Sequence, residues 1–310
     1  MWPPMNPRVS IVTPSFNQAR FLEAAIQSVL QQECESLDYR VLDGGSQDGS
    51  VELLRRYDSQ LRWVSEPDAG QSDAVNRGFQ QSSGEILGWL NADDVYCSGA
   101  LKEVVRQFSG DPGLMLLYGD AHHIDENGKF LDDYPTREFD LSTLAYHCFI
   151  CQPACFFRRR LLEAAGGIDT RLRYAMDLDL WIRFGQQKKQ NPKWRFKHIP
   201  QVLALSRMHC HNKTLSRRHH AFEEMISVVE KHFGVVPFNW VYGAEESNSG
   251  AYDGYFRKRP LSLSLLGKSL ARWSWINRKA PSYLAACILD RLRSPRQSVR
   301  ALAKRSGGPS

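Results

Sequence analysis

The chain has 310 residues, which is enough for one large domain or two ordinary ones, and its hydrophobic content of 42% suffices for a well-formed core. No apolar run approaches the roughly 18 residues that a membrane-spanning helix needs, and the N-terminus lacks a signal-peptide pattern, so we expect a cytoplasmic protein. The net charge of +6 is unevenly distributed, because residues 257–310 carry 13 Lys or Arg and one acid, whereas the remainder carries 27 basic and 33 acidic residues.

Residues 9–120 alternate between strand-like and helix-like patterns, which is typical of a parallel sheet covered by helices. Short apolar runs bounded by turn residues indicate the strands, and apolar residues three and four positions apart indicate the helices. The predicted elements in chain order are strand 9–13, a helix with its apolar face at 22–30, strand 39–42, a helix at about 51–57, strand 61–65, helix 70–82, strand 86–90, helix 99–108 and strand 114–118.

The loops at the carboxyl ends of the predicted strands are polar or rich in glycine, and open parallel sheets bind ligands at that edge. The loop at 91–94 is the most informative, because Asp93 and Asp94 are paired hard oxygen ligands. Such a pair suits a divalent cation that bridges a diphosphate, although an Asx-rich turn explains the same residues. The first strand is followed neither by a lysine-containing phosphate loop nor by G-x-G-x-x-G, which argues against P-loop and dinucleotide enzymes.

Five segments, at 9–32, 43–50, 65–78, 84–94 and 174–184, carry a resemblance to a known family. On these segments the chain resembles the glycosyltransferases of family 2, which have the GT-A fold, and the resemblance covers about residues 8–215. It implies an α/β fold with a Rossmann-like, mostly parallel sheet flanked by helices in a domain at 1–235. A basic, partly helical C-terminal extension at 236–310 would follow.

The resemblance implies an inverting transfer of a sugar from a nucleotide-diphosphate donor, typically a UDP-sugar, to a hydroxyl acceptor in cell-surface polysaccharide or glycolipid assembly. The positions that match donor-binding residues of the family are Thr13, Pro14, Asn17, Asp43, Asp68, Asp73, Asn76 and Asn91. The first three would line the nucleoside pocket, and Asp43 would accept a hydrogen bond from the base. Local turn chemistry is the alternative for Asp43 and the preferred explanation for Asp48.

Asp93 and Asp94 match the acidic metal-binding motif of the family, so the resemblance implies Mn²⁺ or Mg²⁺ as a cofactor that stabilises the departing nucleoside diphosphate. His209, after a strand-like run at 202–206, is the candidate for a further metal or phosphate contact, with an exposed loop histidine as the alternative. Asn91 stands where many members carry the first aspartate of the motif, and its amide would contact the ribose or a water.

The resemblance assigns the general base to Asp177, which would remove the proton of the acceptor hydroxyl during attack. Met176 replaces the usual preceding acid, and Asp179 would point away on a helix, so we expect Asp179 to be structural. An acid favoured by the dipole of a helix N-terminus is the alternative for Asp177. Asn91 and Met176 also leave open a catalytically silent partner that binds a sugar nucleotide within a polysaccharide assembly complex.

The basic C-terminal segment contains two amphipathic helix patterns. Leu263, Leu266, Leu270 and Trp273 fall near one face of the first, and the second covers 283–293. Basic amphipathic helices lie in membrane interfaces, so residues 257–305 are predicted to contact an anionic membrane surface at its cytoplasmic face, which fits a lipid-linked acceptor. The alternative is a helical pair packed on the catalytic domain. Nothing in the sequence resembles a base-reading module, so no nucleic-acid partner is expected.

Overall fold

The computed structural model describes residues 7–248 and 262–293. The chain divides into two compact units. The sheet unit comprises Met1–Phe139 and Phe149–His209, and the helical unit comprises Asp140–Cys148 and Cys210–Ser310. This division falls after His209, whereas the sequence places the boundary at residue 235. The helix Arg218–Phe233 packs against the helix Phe238–Asn248 and therefore belongs to the helical unit. Residues 257–261 and 294–305 of the predicted membrane segment lie outside the described residues.

The described part of the sheet unit contains a sheet of nine strands. These are β1 (Val9–Ser15), β2 (Leu37–Asp43), β3 (Arg62–Ser65), β4 (Ile86–Trp89), β5 (Val95–Tyr96), β6 (Leu114–Ile124), β7 (Phe130–Asp133), β8 (Cys155–Arg158) and β9 (Arg195–Arg207). Their order is β3-β2-β1-β4-β8-β6-β9-β5, with β7 beside β6. Strands β5, β7 and β8 run against the other six, so the prediction of a mostly parallel sheet is confirmed.

Twelve α-helices occur among the described residues. They are α1 (Ala19–Leu30), α2 (Ser50–Arg55), α3 (Gln71–Gln81), α4 (Ala100–Gly110), α5 (Leu141–Leu144), α6 (Arg159–Ala165), α7 (Met176–Gln190), α8 (Lys213–Ser216), α9 (Arg218–Phe233), α10 (Phe238–Asn248), α11 (Leu263–Ile276) and α12 (Pro281–Arg293). Two short 3-10 turns lie at Gln152–Ala154 and Asn277–Lys279. The helices predicted at 22–30, 51–57, 70–82 and 99–108 correspond to α1–α4.

Strands β1 and β4 are buried along their whole length, as expected for central strands covered on both faces. Helix α1 buries Leu22, Ile26 and Val29 on the predicted apolar face. Helix α3 approaches the sheet so closely that a Cβ atom at Gly78 would lie 2.5 Å from Val12 Cγ1. Only glycine allows this contact without displacing the strand. The tight packing holds α3 against β1 and β2, and the helix begins at Gln71, close to the edge where these strands end.

The helical unit has its own buried contacts, in which α9 packs against α10 and α10 against α11. Trp240 Nε1 donates to the Ala145 carbonyl oxygen at 2.6 Å, and Trp273 Nε1 donates to the Val236 carbonyl oxygen at 2.8 Å. Among the described residues, no helix combines the length and the apolar character needed to cross a membrane. Trp273 is a core residue of the helical unit, because its indole nitrogen is bonded to Val236 and its side chain is buried. The helical spacing had grouped Trp273 with the leucines of an apolar face, but this residue is not exposed on that face.

Candidate active site

The carboxyl ends of the first three strands meet at one edge of the sheet, because Ser15 pairs with Asp43 and Asp43 pairs with Ser65 in register. Asn17, in the loop after β1, adopts a left-handed backbone with φ of 52°. Its Oδ1 accepts a hydrogen bond from the Gln47 backbone nitrogen at 3.0 Å. The loops after β1 and β2 therefore come together, as the sequence predicts.

The carboxylate of Asp43 is buried and orders its own loop. Its Oδ2 accepts hydrogen bonds from the Ser46 backbone nitrogen at 2.8 Å and from Ser65 Oγ at 2.7 Å, which joins the ends of β2 and β3. Asp48 binds the backbone nitrogens of Ala19 at 2.8 Å and Ser50 at 3.1 Å, so one carboxylate serves the first residues of two helices. The structural assignment of Asp48 fits this geometry, and contact of Asp43 with a base stays a prediction.

The predicted nucleoside residues differ in exposure. Thr13 and Pro14 are buried within β1, where Thr13 Oγ1 lies 3.1 Å from Tyr39 Oη. At the surface, a Cβ atom on Gly44 would lie 3.1 Å from Asp68 Oδ2 and 3.3 Å from Phe16 Cδ2. Phe16 is 61% exposed and was not predicted from the sequence, although an aromatic residue directly after a strand is the signal that could have identified it.

The side chains of Asp73 and Asn76, on α3, form hydrogen bonds to backbone groups of two loops. Asn76 Nδ2 donates to the Ile168 carbonyl oxygen at 2.8 Å, and its Oδ1 accepts from the Ile168 nitrogen at 3.0 Å. Asp73 Oδ2 accepts from the Ala69 nitrogen at 3.3 Å. Both side chains stabilise the walls at this edge, and direct contact of either one with a donor stays a prediction.

Asp93 and Asp94 lie at the carboxyl end of β4 in different surroundings. Asp93 Oδ2 is 3.0 Å from His209 Nε2, which brings the predicted histidine to the predicted acid. Asp94 is buried, and its Oδ1 accepts from the Arg207 backbone nitrogen at 2.8 Å. Burial and, after it, the negative charge of Asp93 hold the pKa of Asp94 well above its usual range. Burial and the neighbouring carboxylate therefore disfavour the ionised form of Asp94, which a cation beside the pair would favour.

Arg207 connects this acidic turn to the β6–β7 hairpin. Its Nε donates to the Asp93 carbonyl oxygen at 2.9 Å, and its Nη1 donates to the Asp125 carbonyl oxygen at 3.1 Å. The guanidinium lies 5.1 Å from the centroid of the Phe21 ring, which itself lies 4.7 Å from the His209 ring. Sequence reasoning did not assign Arg207 a role, because its partners are distant in sequence.

Asn91 is fully engaged with neighbouring side chains. Its Oδ1 accepts from Gln71 Nε2 at 2.7 Å, and its Nδ2 donates to Gln152 Oε1 at 3.0 Å and to Asp94 Oδ2 at 3.1 Å. An amide is suited to this position because it donates and accepts at once, whereas a carboxylate would face two acceptors. A direct contact of Asn91 with a ribose stays a prediction.

Asp177 lies in the first turn of α7, half-buried, with its Oδ1 accepting from the Leu178 nitrogen at 2.8 Å. The first turn of α3 reaches both this region and the acidic turn, since Ser72 Oγ donates to the Leu172 carbonyl oxygen at 2.9 Å while Gln71 binds Asn91. Asp177 is therefore at the same edge of the sheet as the acidic pair.

Asp179 has a structural environment. It has no exposed surface, and its Oδ2 lies 2.6 Å from Arg183 Nε. The same guanidinium donates to the Ala165 carbonyl oxygen at 2.6 Å. This ion pair fits the prediction that Asp179 is structural.

The family model described as glycosyl transferase family 2 matches residues 10–166, which is just over half of the chain. The chain belongs to glycosyltransferase family 2. The matched region contains β1–β4, the acidic turn and β8, so it carries most of the residues that converge at the sheet edge.

Two relatives of this family 2 glycosyltransferase have names that describe their roles. The chain is 24% identical over 236 residues to the chondroitin synthase of Escherichia coli, with 74% of this chain and 32% of that protein covered. It is 31% identical over 182 residues to a PGL/p-HBAD biosynthesis glycosyltransferase of Mycobacterium bovis, with 57% and 69% covered. The chain thus spans about a third of the length of the chondroitin synthase.

A solved structure with a similar fold is the mannosyltransferase PcManGT from Pyrobaculum calidifontis, in complex with GDP-Man and Mn²⁺. The two chains share 19% identity, and the match has a TM-score of 0.57 over 94% of this chain and 88% of that one. The predicted GT-A fold with a helical C-terminal region is confirmed.

The residues of this glycosyltransferase fit a divalent ion shared with a substrate. No group of three or more His, Cys, Asp or Glu side chains that could enclose a metal occurs in the described part of the chain. Asp93 and His209 offer one oxygen and one nitrogen donor, beside the buried carboxyl group of Asp94. Ions such as Mg²⁺ are commonly held by one or two carboxylates together with substrate phosphates. The donor set therefore suits this arrangement and not an all-protein cage.

Proposed function

We propose that this family 2 glycosyltransferase moves a sugar from a nucleoside-diphosphate donor to a hydroxyl group of a saccharide or lipid-linked acceptor, with inversion at the anomeric carbon. The observation that carries the proposal is the Asp93–His209 pair beside the buried Asp94 carboxylate at the end of β4. Two adjacent carboxyl groups and an imidazole at that edge suit a divalent cation, which would in turn neutralise the charge of a diphosphate.

The proposed cofactor is Mn²⁺ or Mg²⁺, held by Asp93 and His209, with Asp94 beside them. When bound, the ion would supply Lewis-acid stabilisation of the diphosphate leaving group. The mannosyltransferase from Pyrobaculum calidifontis, whose solved structure contains Mn²⁺ and GDP-Man, supports the use of a divalent ion by this fold.

Asp177 is the proposed general base. Its carboxylate takes the proton from the acceptor hydroxyl while that oxygen forms a bond to the anomeric carbon. The bond from the anomeric carbon to the diphosphate oxygen breaks in the same step, and its electron pair leaves with the diphosphate. A single displacement from the opposite side inverts the configuration.

The donor would lie along the ends of β1–β4. Asn17 and Asp43 are proposed to hold the nucleoside, with Thr13 and Pro14 behind them in β1. Because the carboxylate of Asp43 is already ordered by Ser46 and Ser65, it could accept a hydrogen bond from a base at little entropic cost. Uracil is the proposed base. The proposed roles of Asp68, Asp73 and Asn76 are to hold the donor side of the cleft, and Asn91 is proposed to contact the ribose or a water.

The acceptor is proposed to belong to polysaccharide or glycolipid assembly, which the names of the chondroitin synthase and the PGL/p-HBAD biosynthesis glycosyltransferase support. Residues 257–305 would bring the enzyme to the anionic cytoplasmic face of a membrane. Within the described residues of that segment, α11 exposes Leu263 and Trp275, and the Arg278 guanidinium lies 4.1 Å from the centroid of a Trp275 ring. Exposed apolar side chains beside basic ones fit an interfacial contact.

Calorimetric binding of UDP, GDP and dTDP, each with and without Mn²⁺, tests the donor site, with CMP as a monophosphate comparison. We expect one diphosphate to bind more tightly with Mn²⁺ than without it to the wild type and to Asp133→Ala, a matched exposed aspartate. Asp93→Ala should lose this gain in affinity. Binding of no nucleotide would contradict the proposal. Metal-dependent binding without transfer of any sugar would favour the silent-partner alternative.

A further inference from the structure

A chain of amide hydrogen bonds closes the turn that carries the two site acids. Gln152 Nε2 donates to the Trp89 carbonyl oxygen at 2.6 Å, and Gln152 Oε1 accepts from Asn91 Nδ2 at 3.0 Å. The same Asn91 nitrogen donates to Asp94 Oδ2 at 3.1 Å. Because a carbonyl oxygen can only accept, the Trp89 end fixes the orientation of the Gln152 amide, and the Gln152 oxygen then fixes that of Asn91.

Both ends of this chain lie within residues 89–94, whereas Gln152 comes from the 3-10 turn before β8. Gln152 therefore bridges Trp89, the last residue of β4, and Asn91, and holds these two residues in place relative to each other. Asn91 in turn orients the carboxylate of Asp94, whose other oxygen binds the Arg207 nitrogen at 2.8 Å. Asp94 thus connects the turn after β4 to the end of β9.

Asp93 adjoins Asp94 along the chain, and His209 follows Arg207 by two residues, so the Asp94–Arg207 contact helps to set the Asp93–His209 distance of 3.0 Å. A loss of the Gln152 amide would free one Asn91 hydrogen and weaken the hold of Asn91 on the buried Asp94 carboxylate. The turn after β4 would then lose the hydrogen bonds that connect it to the segment before β8. Asp93 Oδ2 and His209 Nε2, the two proposed metal ligands, would be free to move apart.

We propose that Gln152 is a positioning residue, which sets the spacing of Asp93 and His209 through Asn91 and Asp94 and thereby the affinity for the divalent ion. This inference rests on the metal site of the proposed function. Loss of a group that orients metal ligands typically costs about 10–100-fold in metal affinity. The same substitution is not expected to change nucleotide affinity in the absence of metal, because Gln152 acts on the two donor atoms and not on the nucleoside loops.

Two substitutions separate the links that Gln152 makes. Gln152→Met keeps the length of the side chain and removes both hydrogen bonds, while Gln152→Glu keeps the acceptor for Asn91 and loses the donor to Trp89. Gln107→Met is a matched control, because Gln107 also donates through Nε2 and accepts at Oε1, with Glu103 and Lys197, which lie outside the acidic turn, as its partners. Circular dichroism and thermal unfolding establish that each variant is folded.

The test is a Mn²⁺ titration followed by electron paramagnetic resonance of the free ion, at saturating concentrations of UDP, GDP or dTDP, paired with calorimetric nucleotide binding in the absence of metal. We expect Mn²⁺ affinity to fall about tenfold or more in Gln152→Met, by less in Gln152→Glu, and to stay unchanged in Gln107→Met. Metal-free nucleotide affinity should be the same in all four proteins.

Equal Mn²⁺ affinity in Gln152→Met and the wild type would overturn the positioning role and leave the proposed function intact. A wild type that binds no Mn²⁺ with any of the three nucleotides would overturn both. If Gln152→Met does not fold, Gln152→Glu decides: reduced Mn²⁺ affinity supports the inference, and wild-type affinity refutes it.

Discussion

Replacement of Asp179 by alanine is expected to destabilise the protein strongly, although the residue lies two positions from the proposed general base. Asp179 has no exposed surface and is the counter-charge of Arg183, whose guanidinium also binds the Ala165 and Gly167 carbonyl oxygens. In Asp179→Ala the largely buried guanidinium of Arg183 loses that carboxylate. Removal of one partner of a buried ion pair costs about 3–5 kcal/mol.

The assay is urea unfolding followed by tryptophan fluorescence, which the stacked Trp89 and Trp181 rings at 6.3 Å make sensitive to this region. With a denaturant dependence of about 3 kcal/mol per molar urea, the expected loss corresponds to a midpoint lower by roughly 1–2 M. Asp177→Ala, in the same turn but half-exposed, should cost about 0.3–1 kcal/mol, the usual gain of an acid near a helix N-terminus. The Asp179→Ala/Arg183→Met double variant should regain part of the loss, because no unpaired charge remains. Equal midpoints for the Asp177 and Asp179 variants would refute the reasoning.

Three further outcomes are expected. Asp177→Asn should abolish sugar transfer while calorimetry finds donor binding near that of the wild type; unchanged turnover would remove Asp177 as the base. Gly78→Ala should lower the free energy of unfolding by about 1–3 kcal/mol in urea titrations, because its Cβ would lie 2.5 Å from Val12 Cγ1. Gly110→Ala, where nothing lies within 4 Å of the added atom, is the control, and equal losses would contradict the packing argument. The double variant Trp275→Ser/Arg278→Ser, which changes only exposed side chains at and after the end of α11, should reduce flotation with phosphatidylglycerol-containing vesicles, and flotation like that of the wild type would contradict the membrane proposal.

The central strands and helices could be predicted from the sequence because their periodicity is local. Helix α1 carries its buried face at regular spacing, β4 is a continuous apolar run, and β1 carries Val9, Ile11 and Val12 close together. Strands β5 and β7 were missed for different reasons. β5 has two residues, and its partner in β9 lies more than 100 positions away, so no local pattern indicates it. The β6–β7 hairpin carries an available signal, Asn127-Gly128, which is typical of tight turns between strands.

The candidate site was predictable as a set of loops but not as a set of contacts. Asp93 and His209 were both identified, yet the Arg207 nitrogen that binds Asp94 is 113 positions away from it, and Ile168 is 92 positions from Asn76. Pairings at such separations depend on how strands and helices pack, which one sequence does not reveal. The same limit applies to Trp273, whose indole hydrogen bond to Val236 places it inside the helical unit.

Because Asp94 is buried, the response to salt can distinguish cation binding at the acidic turn from binding at an exposed charged surface. At physiological salt the Debye length is about 8 Å, so mobile ions screen exposed charges well and enclosed ones poorly. The Asp94 carboxylate is enclosed by the Arg207 nitrogen and the Asn91 amide, whereas Arg278 lies on an exposed surface. Added sodium chloride should therefore release the enzyme from a charged surface at a lower concentration than the one that weakens cation binding at the acidic turn. A salt titration can thus separate the proposed membrane binding from the proposed cation binding.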